Sequence, residues 1–269
     1  MKIALIQMDI VNDKEKNLKK AIQNIKKASK KGADLVVLPE MFICPYNNEM
    51  FIKYAETEKG KVVSKLSEIS KKEQIYLVAG SIPEKEDNKI YNTAFIFDKT
   101  GKIIKKHRKI HLFDIDIPGK ITYKESDVLS FGKNITVFET EFCKVGVAIC
   151  YDMRFPELIR NMTLKGAKLV VIPAAFNMTT GPAHWHTIAK SRSLDNQIYF
   201  AMCSPARNLK NDYIAYGHSL VANPWGKIQD SLDEKENILF SNIDFEYLDK
   251  IRAKLPLLKH RQDNIYKKG

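Results

Sequence analysis

The chain has 269 residues, 44% of them hydrophobic and 28% charged, with a formal net charge of +12. That composition excludes collagenous, mucin-like and disordered proteins, and the length allows one large domain or two. No segment supplies the roughly 18 unbroken apolar residues of a membrane-spanning helix. The lysines are scattered among glutamates, as in "NLKKAIQNIKKASKKG", with no RNP, KH or zinc-finger pattern, so solvated helix faces explain the charge better than a nucleic-acid surface does.

In chain order, "MKIALIQMDI" reads as a first strand; its apolar run reaches Asp9 too soon for a signal-peptide core and cleavage site. Asn17 to Lys31 places Leu18, Ala21, Ile22 and Ile25 on one face and lysines on the other, which predicts an amphipathic helix. "DLVVLPE" is a strand run ending in Glu40, and Val62 to Glu73 is a second helix. "IYLVAGSI" and "YNTAFIFD" follow as strands, and Asp98-Lys99-Thr100-Gly101 turns the chain back in a hairpin within Tyr91 to Lys109. A second hairpin joins "ITVFET" to "FCKVGVAIC", which ends in Cys150. Helices at Pro156–Lys165 and Ala183–Asn196 flank the strand "KLVVIPAAF"; "QIYFAMCS" and "HSLVANP" come next, with a third hairpin through "VANPWGKIQDS". Strands apolar at consecutive positions are covered on both faces. Parallel crossovers mixed with hairpins predict an α/β sandwich rather than one doubly wound sheet, and with no repeat or composition break the economical division is a single domain, residues 1–269. The basic C-terminal stretch "KHRQDNIYKKG" carries no motif.

Three segments share a shape: Glu40 ends "DLVVLPE", Lys109 lies in "KIIKKHRKIHLFD" and Cys150 ends "VGVAIC". Strand ends are where α/β proteins gather reactive groups. Singly, each has an ordinary explanation: a solvated carboxylate, a surface lysine, a small buried thiol. Jointly they make chemistry, because a cysteine needs a base to become a nucleophile and an ammonium can face the oxyanion that forms. The four cysteines, Cys44, Cys143, Cys150 and Cys203, show no CxxC pairing and read as free thiols of a reducing compartment. The "HWH" of His184 to His186 lacks a third ligand at a convincing spacing, so no metal site is expected.

"LPEMF", "HRKIHLFDIDIPGKITYKESD" and "GVAICYDMRFPELIR" resemble the three signature blocks of the nitrilase, or carbon–nitrogen hydrolase, superfamily, and similarity extends over nearly the whole chain. The resemblance implies a four-layer αββα sandwich and a homodimer, with neither metal nor organic cofactor; the cytoplasm is the expected location because no signal-peptide core or membrane span is read from the sequence. It assigns Glu40 as general base, Lys109 to the oxyanion, Cys150 as nucleophile and Glu125 as the second glutamate, which orients the lysine and the attacking water. The backbone N–H of Tyr151 is placed to help hold the oxyanion. "CYDMRFPEL", "FNMTTGPAHW", "SRSLDNQIY" and "SPAR" look most like the omega-amidase branch, whose substrates, α-keto acid omega-amides, carry a carboxylate at one end. A planar guanidinium suits that anion, which points to Arg154 unless it is spent on an ion pair with Glu157 or Asp152. Tyr46, Phe176 and Thr180 match pocket positions of the branch, Thr180 having a helix-capping role as its alternative; the loop "MFICPYNNEM" departs from the branch in detail. The alternatives are an amidase for deaminated glutathione, an N-carbamyl amidase, a nitrilase, or a basic binding protein on an inactive scaffold.

Overall fold

In the computed structural model, which describes residues 1–119 and 121–266, the strands are apolar at consecutive positions because their two faces meet different cores. In β1 (Lys2–Gln7), Ile3 and Leu5 join one buried cluster while Ala4 and Ile6 join the other. β2 (Leu35–Val37) divides in the same way, Leu35 and Val37 from Val36. Between them α1 (Lys14–Lys30) lays Leu18, Ala21, Ile25 and Ala28 on the outer face. It starts three residues before the predicted Asn17, because the Asp13 carboxylate accepts from the Lys16 N–H and caps it there.

The chain continues through α2 (Asn48–Tyr54), α3 (Lys61–Glu73), β3 (Tyr76–Glu86), β4 (Lys89–Phe97) and β5 (Ile103–Arg108). β6 (Asp114–Ile117) and β7 (Ile121–Lys124) form a separate ribbon, and β8 (Leu129–Ser130) rejoins β4. The second half runs β9 (Thr136–Glu139), β10 (Lys144–Val147), α4 (Pro156–Leu164), β11 (Ala167–Pro173), α5 (Gly181–Asn196), β12 (Tyr199–Cys203), β13 (Leu220–Ala222) and β14 (Ile228–Ser231). β15 (Asn237–Asn242) then returns to pair antiparallel with β1, Lys2 opposite Asn242, before α6 (Phe245–Lys254) and α7 (Asp263–Tyr266). The last three residues of the basic C-terminal stretch lie outside the described residues.

One sheet has the order β15-β1-β2-β3-β4-β5, the other β14-β13-β12-β11-β10-β9. Leu5, Val37, Val78 and Ile96 of the first belong to the same buried cluster as Val145, Val147 and Val171 of the second, so the sheets pack face to face. α1 and α3 cover the outside of the first; α4 and α5, through Leu158, Ile159, Trp185 and Ala189, cover the second. This is the expected αββα sandwich, and all three expected hairpins are present. The sequence reading passed over α2, the β6–β7 ribbon, β15 and α6.

Gly80 is where the fold sets up the site. β3 shifts register between Ala79 and Ile82, and Gly80 there has φ +41°. A Cβ on it would lie 2.1 Å from the Pro39 carbonyl oxygen, so β3 hugs the segment that carries Glu40. Gly80→Ala is expected to cost about 2–4 kcal/mol through backbone strain and overpacking. In urea unfolding this appears as a lower midpoint at an unchanged slope.

Candidate active site

Each charged residue is turned inward by its own backbone. Past β2, the Leu38 N–H donates to Val78 O at 3.0 Å, Met41 takes φ 50°, and the Met41 N–H donates to Ser81 Oγ at 3.1 Å, which fixes Glu40 between two anchored neighbours. Lys109 lies one residue beyond β5: its N–H donates to Asn92 O and its carbonyl accepts from Gly132 N, both at 2.8 Å. Glu125 opens a 3-10 turn after β7, and its Oε2 accepts the Phe113 N–H at 2.7 Å. Glu40, Lys109 and Glu125 all have zero solvent exposure, which rules out the solvated strand-end carboxylate and the surface lysine.

The structure brings these three together. Lys109 Nζ donates to Glu40 Oε1 at 2.9 Å and reaches Glu125 Oε1 at 3.0 Å and Oε2 at 2.9 Å. The Tyr46 hydroxyl donates to Glu125 Oε1, lies 3.3 Å from Glu40 Oε1 and accepts from Lys109 at 3.2 Å. Tyr46 is therefore a member of the charged cluster, not only a pocket wall. Asn92 Nδ2 donates to Glu40 Oε1 at 2.8 Å. Glu40 Oε2, also buried, has no hydrogen-bond partner among the described residues, which leaves that oxygen to take up a proton.

One ammonium faces two carboxylates, and this imbalance sets the electrostatics. Burial works against the Lys109 charge, yet Glu125 and Glu40 more than compensate and hold its pKa well above the ordinary value. Burial raises the Glu40 pKa, Lys109 opposes the rise and the Glu125 charge adds to it, leaving Glu40 more basic than a free glutamate. Burial and the Glu40 charge push the Cys150 thiol well up, against the opposing pull of Lys109 and the Ala175 N–H. The proton thus rests on sulfur, next to a carboxylate prepared to accept it.

Cys150 follows β10 at a sharp turn. It has φ 47°, in the left-handed region that a non-glycine residue adopts at a cost, and begins a 3-10 turn over Cys150–Arg154. The first hydrogen bond of that turn runs from Asp152 N to Ile149 O, at 3.0 Å, so the N–H groups of Cys150 and Tyr151 precede it. At the far end Arg192 of α5 donates from Nε to Met153 O at 2.9 Å and from Nη2 to Arg154 O at 3.0 Å.

Arg154 pairs with neither Glu157 nor Asp152. Its guanidinium lies 4.8 Å from the Phe176 ring centroid, Nη1 is 3.1 Å from His184 Nδ1, and the buried Nε has no partner among the described residues. Phe176 itself packs edge-on against Trp185. Thr180 occupies the cap position of α5, but its hydroxyl donates back to Asn177 Oδ1 at 3.1 Å and caps no helix N–H.

A cavity of about 20 Å³, room for about one water, adjoins Glu40 and is walled by Tyr46, Ala175, Ala206 and Tyr213. Tyr213 stacks on Tyr46 with centroids 4.6 Å apart, and its hydroxyl donates to Ala175 O. Asn92 and Tyr213 are not among the residues expected from sequence, and His184 is expected only as part of the "HWH" discounted as a metal site; the polar Asn inside the apolar run "YNTAFIFD" offered a local signal. Among the described residues no three His, Cys, Asp or Glu side chains gather as a metal site.

The sequence profile of the family described as "Carbon-nitrogen hydrolase" matches residues 2–253. The chain is 50% identical over 268 residues to "Nitrilase homolog 2" of Dictyostelium discoideum, covering 99% of this chain and 82% of that one. It is 48% identical over 265 residues to "Omega-amidase NIT2" of Mus musculus, covering 98% and 96%. The crystal structure of Saccharomyces cerevisiae Nit3, described as a member of branch 10 of the nitrilase superfamily, superposes with a TM-score of 0.89 at 44% identity, over 97% of this chain and 96% of that one.

A thiol held protonated reacts slowly near neutral pH. Alkylation of Cys150 by iodoacetamide, followed by mass spectrometry, is expected to accelerate steadily from about pH 6 to about pH 9. A plateau reached below about pH 7 would instead reveal a preformed thiolate.

Proposed function

The chain belongs to the carbon–nitrogen hydrolase family, and we propose that within it the protein is an omega-amidase, releasing ammonia from the terminal amide of α-ketoglutaramate or α-ketosuccinamate. Hydrolysis of carbon–nitrogen bonds is what the family's description names, and the near-complete match to "Omega-amidase NIT2" of Mus musculus supports the finer reading. The observation that carries it is the buried Lys109 held between Glu40 and Glu125, with the thiol of Cys150 next to Glu40, whose Oε2 has no hydrogen-bond partner among the described residues.

Glu40 takes the thiol proton as Cys150 attacks the amide carbon. Lys109 and the Tyr151 N–H stabilise the oxyanion of the tetrahedral intermediate. Glu40 returns the proton to the departing nitrogen, the C–N bond breaks, and ammonia leaves a thioester behind. Water, deprotonated by Glu40 and positioned with Glu125, attacks the thioester; the thiol leaves with a proton and the dicarboxylate is released. Arg154 receives the substrate carboxylate, because its guanidinium is half-buried over Phe176 and pairs with no carboxylate among the described residues. Residues 1–269 act as one catalytic domain, working in the cytoplasm as a homodimer on a small-molecule substrate.

Ammonia release from α-ketoglutaramate, run beside deaminated glutathione, an N-carbamyl amine and a simple nitrile, tests the reading. Preferred turnover of α-ketoglutaramate, abolished in Cys150→Ala with the thermal midpoint retained, is expected. Preference for another member of the panel keeps the chemistry and moves the substrate; inactivity on all four defeats the enzyme reading. Arg154→Ala is expected to raise KM for α-ketoglutaramate by about 10–100-fold with kcat changed by less than about 3-fold, since it removes binding rather than chemistry. A substrate amide lacking the carboxylate should be indifferent to that change.

A further inference from the structure

We propose that Asp152 is the positioning residue that sets nucleophile against oxyanion lysine. It ties together the backbone beside each with one buried carboxylate, a role that rests on the reading of Cys150 and Lys109 given above. Asp152 has zero exposure, and its oxygens accept from both sides of the site. From the cysteine side, the N–H of Ile149, the residue before Cys150, donates to Oδ2 at 3.1 Å. From the lysine side, the N–H groups of Ile110 and His111, the two residues after Lys109, donate to Oδ1 at 3.2 and 2.9 Å.

Two imidazoles complete the shell. His107 Nε2, on β5 two residues before Lys109, is 3.0 Å from Oδ2, and its Nδ1 is 3.1 Å from Thr136 Oγ1 at the start of β9. His111 Nδ1 is 2.8 Å from Oδ1, and its ring stacks on Phe155 at 3.5 Å between centroids. Burial acts against the Asp152 charge, but the hydrogen bonds from His107 and His111 hold its carboxyl well below the usual carboxylate range.

Two features make this more than a buried polar group that has found partners. Lys109 sits at the end of the β5 edge of one sheet and Cys150 beyond a strand of the other, so their separation is a relation between sheets that neither sheet's ladder fixes. Cys150 also holds a left-handed φ of 47°, a conformation that persists only where the surroundings determine it. The Ile149 N–H to Asp152 bond is the restraint immediately upstream of that residue. An amide cannot replace the carboxylate here. Whichever way an asparagine is turned, its NH₂ faces a backbone N–H: that of Ile149 on one side, those of Ile110 and His111 on the other.

The test compares Asp152→Asn, His111→Ala and His111→Asn with the parent enzyme and Cys150→Ala, on α-ketoglutaramate or the best substrate of the panel, with rates expressed per mole of folded protein. Alkylation of Cys150 by iodoacetamide is measured in parallel, because it consumes the thiol without needing oxyanion stabilisation. Asp152→Asn is expected to lower kcat by about 10–100-fold, with KM and the alkylation rate each within about 3-fold, since a displacement of around 1 Å in reacting groups is enough for such a loss. His111→Ala should lose part of kcat and His111→Asn recover most of it. The asparagine amide reproduces the Nδ1 donor, while both variants lose the stacking on Phe155. The proposal is overturned if Asp152→Asn keeps kcat within about twofold, if turnover and alkylation fall together, or if His111→Asn is no better than His111→Ala. Should Asp152→Asn fail to fold, the His111 pair decides. Turnover by Cys150→Ala would sink the catalytic reading instead, a result separate from any of these.

Discussion

Lys109 carries a charge to a place that water does not reach, and the fold must supply what water would have given it. Stripping solvent from an ammonium costs several kcal/mol, recovered only where anions and hydrogen-bond acceptors are held at good geometry. Here the acceptors come from separate parts of the chain: Glu40 after β2, Glu125 from the turn after β7, and the Tyr46 hydroxyl from the loop between β2 and α2. Removing the cation would leave two buried carboxylates within reach of one another, a loss in the range of about 3–5 kcal/mol seen for broken buried pairs. The arrangement stabilises the lysine charge with more anion than it needs. The surplus falls on Glu40, whose second oxygen has no donor among the described residues, and it leaves that carboxylate more basic than a free glutamate.

The site lies where two sheets meet. Glu40 and Lys109 lie just past strands of the first sheet, and Cys150, Arg154 and Phe176 past strands of the second, so these groups are aligned only when the two inner faces are packed against each other. Close packing of Leu5, Val37 and Val78 with Val145, Val147 and Val171 in one buried cluster therefore holds the two halves of the proposed site in register. Interiors at that density shift as units, which suits a site built from residues of both layers.

Much of this was visible in the sequence because a strand that ends in an ionisable residue is a local pattern. Glu40 and Cys150 each close an apolar run, Lys109 lies one residue past a strand whose sequence, "IIKKHR", is mostly basic, and the alternation of β1 between two cores shows as the unbroken "IALI". The rest is not local. The Tyr46 hydroxyl meets Glu125, and Asn92 meets Glu40, across stretches of chain that carry no trace of the meeting. Asp152 sits beside the nucleophile in sequence, where it reads as a partner for Arg154, yet its oxygens are taken by His107, His111 and three backbone N–H groups. β15 was passed over because "NILFSN" alternates weakly and its role depends on β1, at the opposite end of the chain.

That pairing of β1 with β15 bears on how the molecule comes into being. Lys2–Gln7 lies between β2 and β15 with Ile3, Ala4, Leu5 and Ile6 fully buried, so β1 cannot complete its ladder until β15 has been made. At ribosomal rates of about 5–20 residues per second, the wait is on the order of ten to fifty seconds. During it an apolar strand has one edge unpaired, the form of nascent chain most open to association with its neighbours. Closing so distant a contact is slow even after release, because the entropy of joining the ends is lost before any burial repays it. The seam that finishes the sandwich is therefore also the interval in which the newborn polypeptide is most vulnerable.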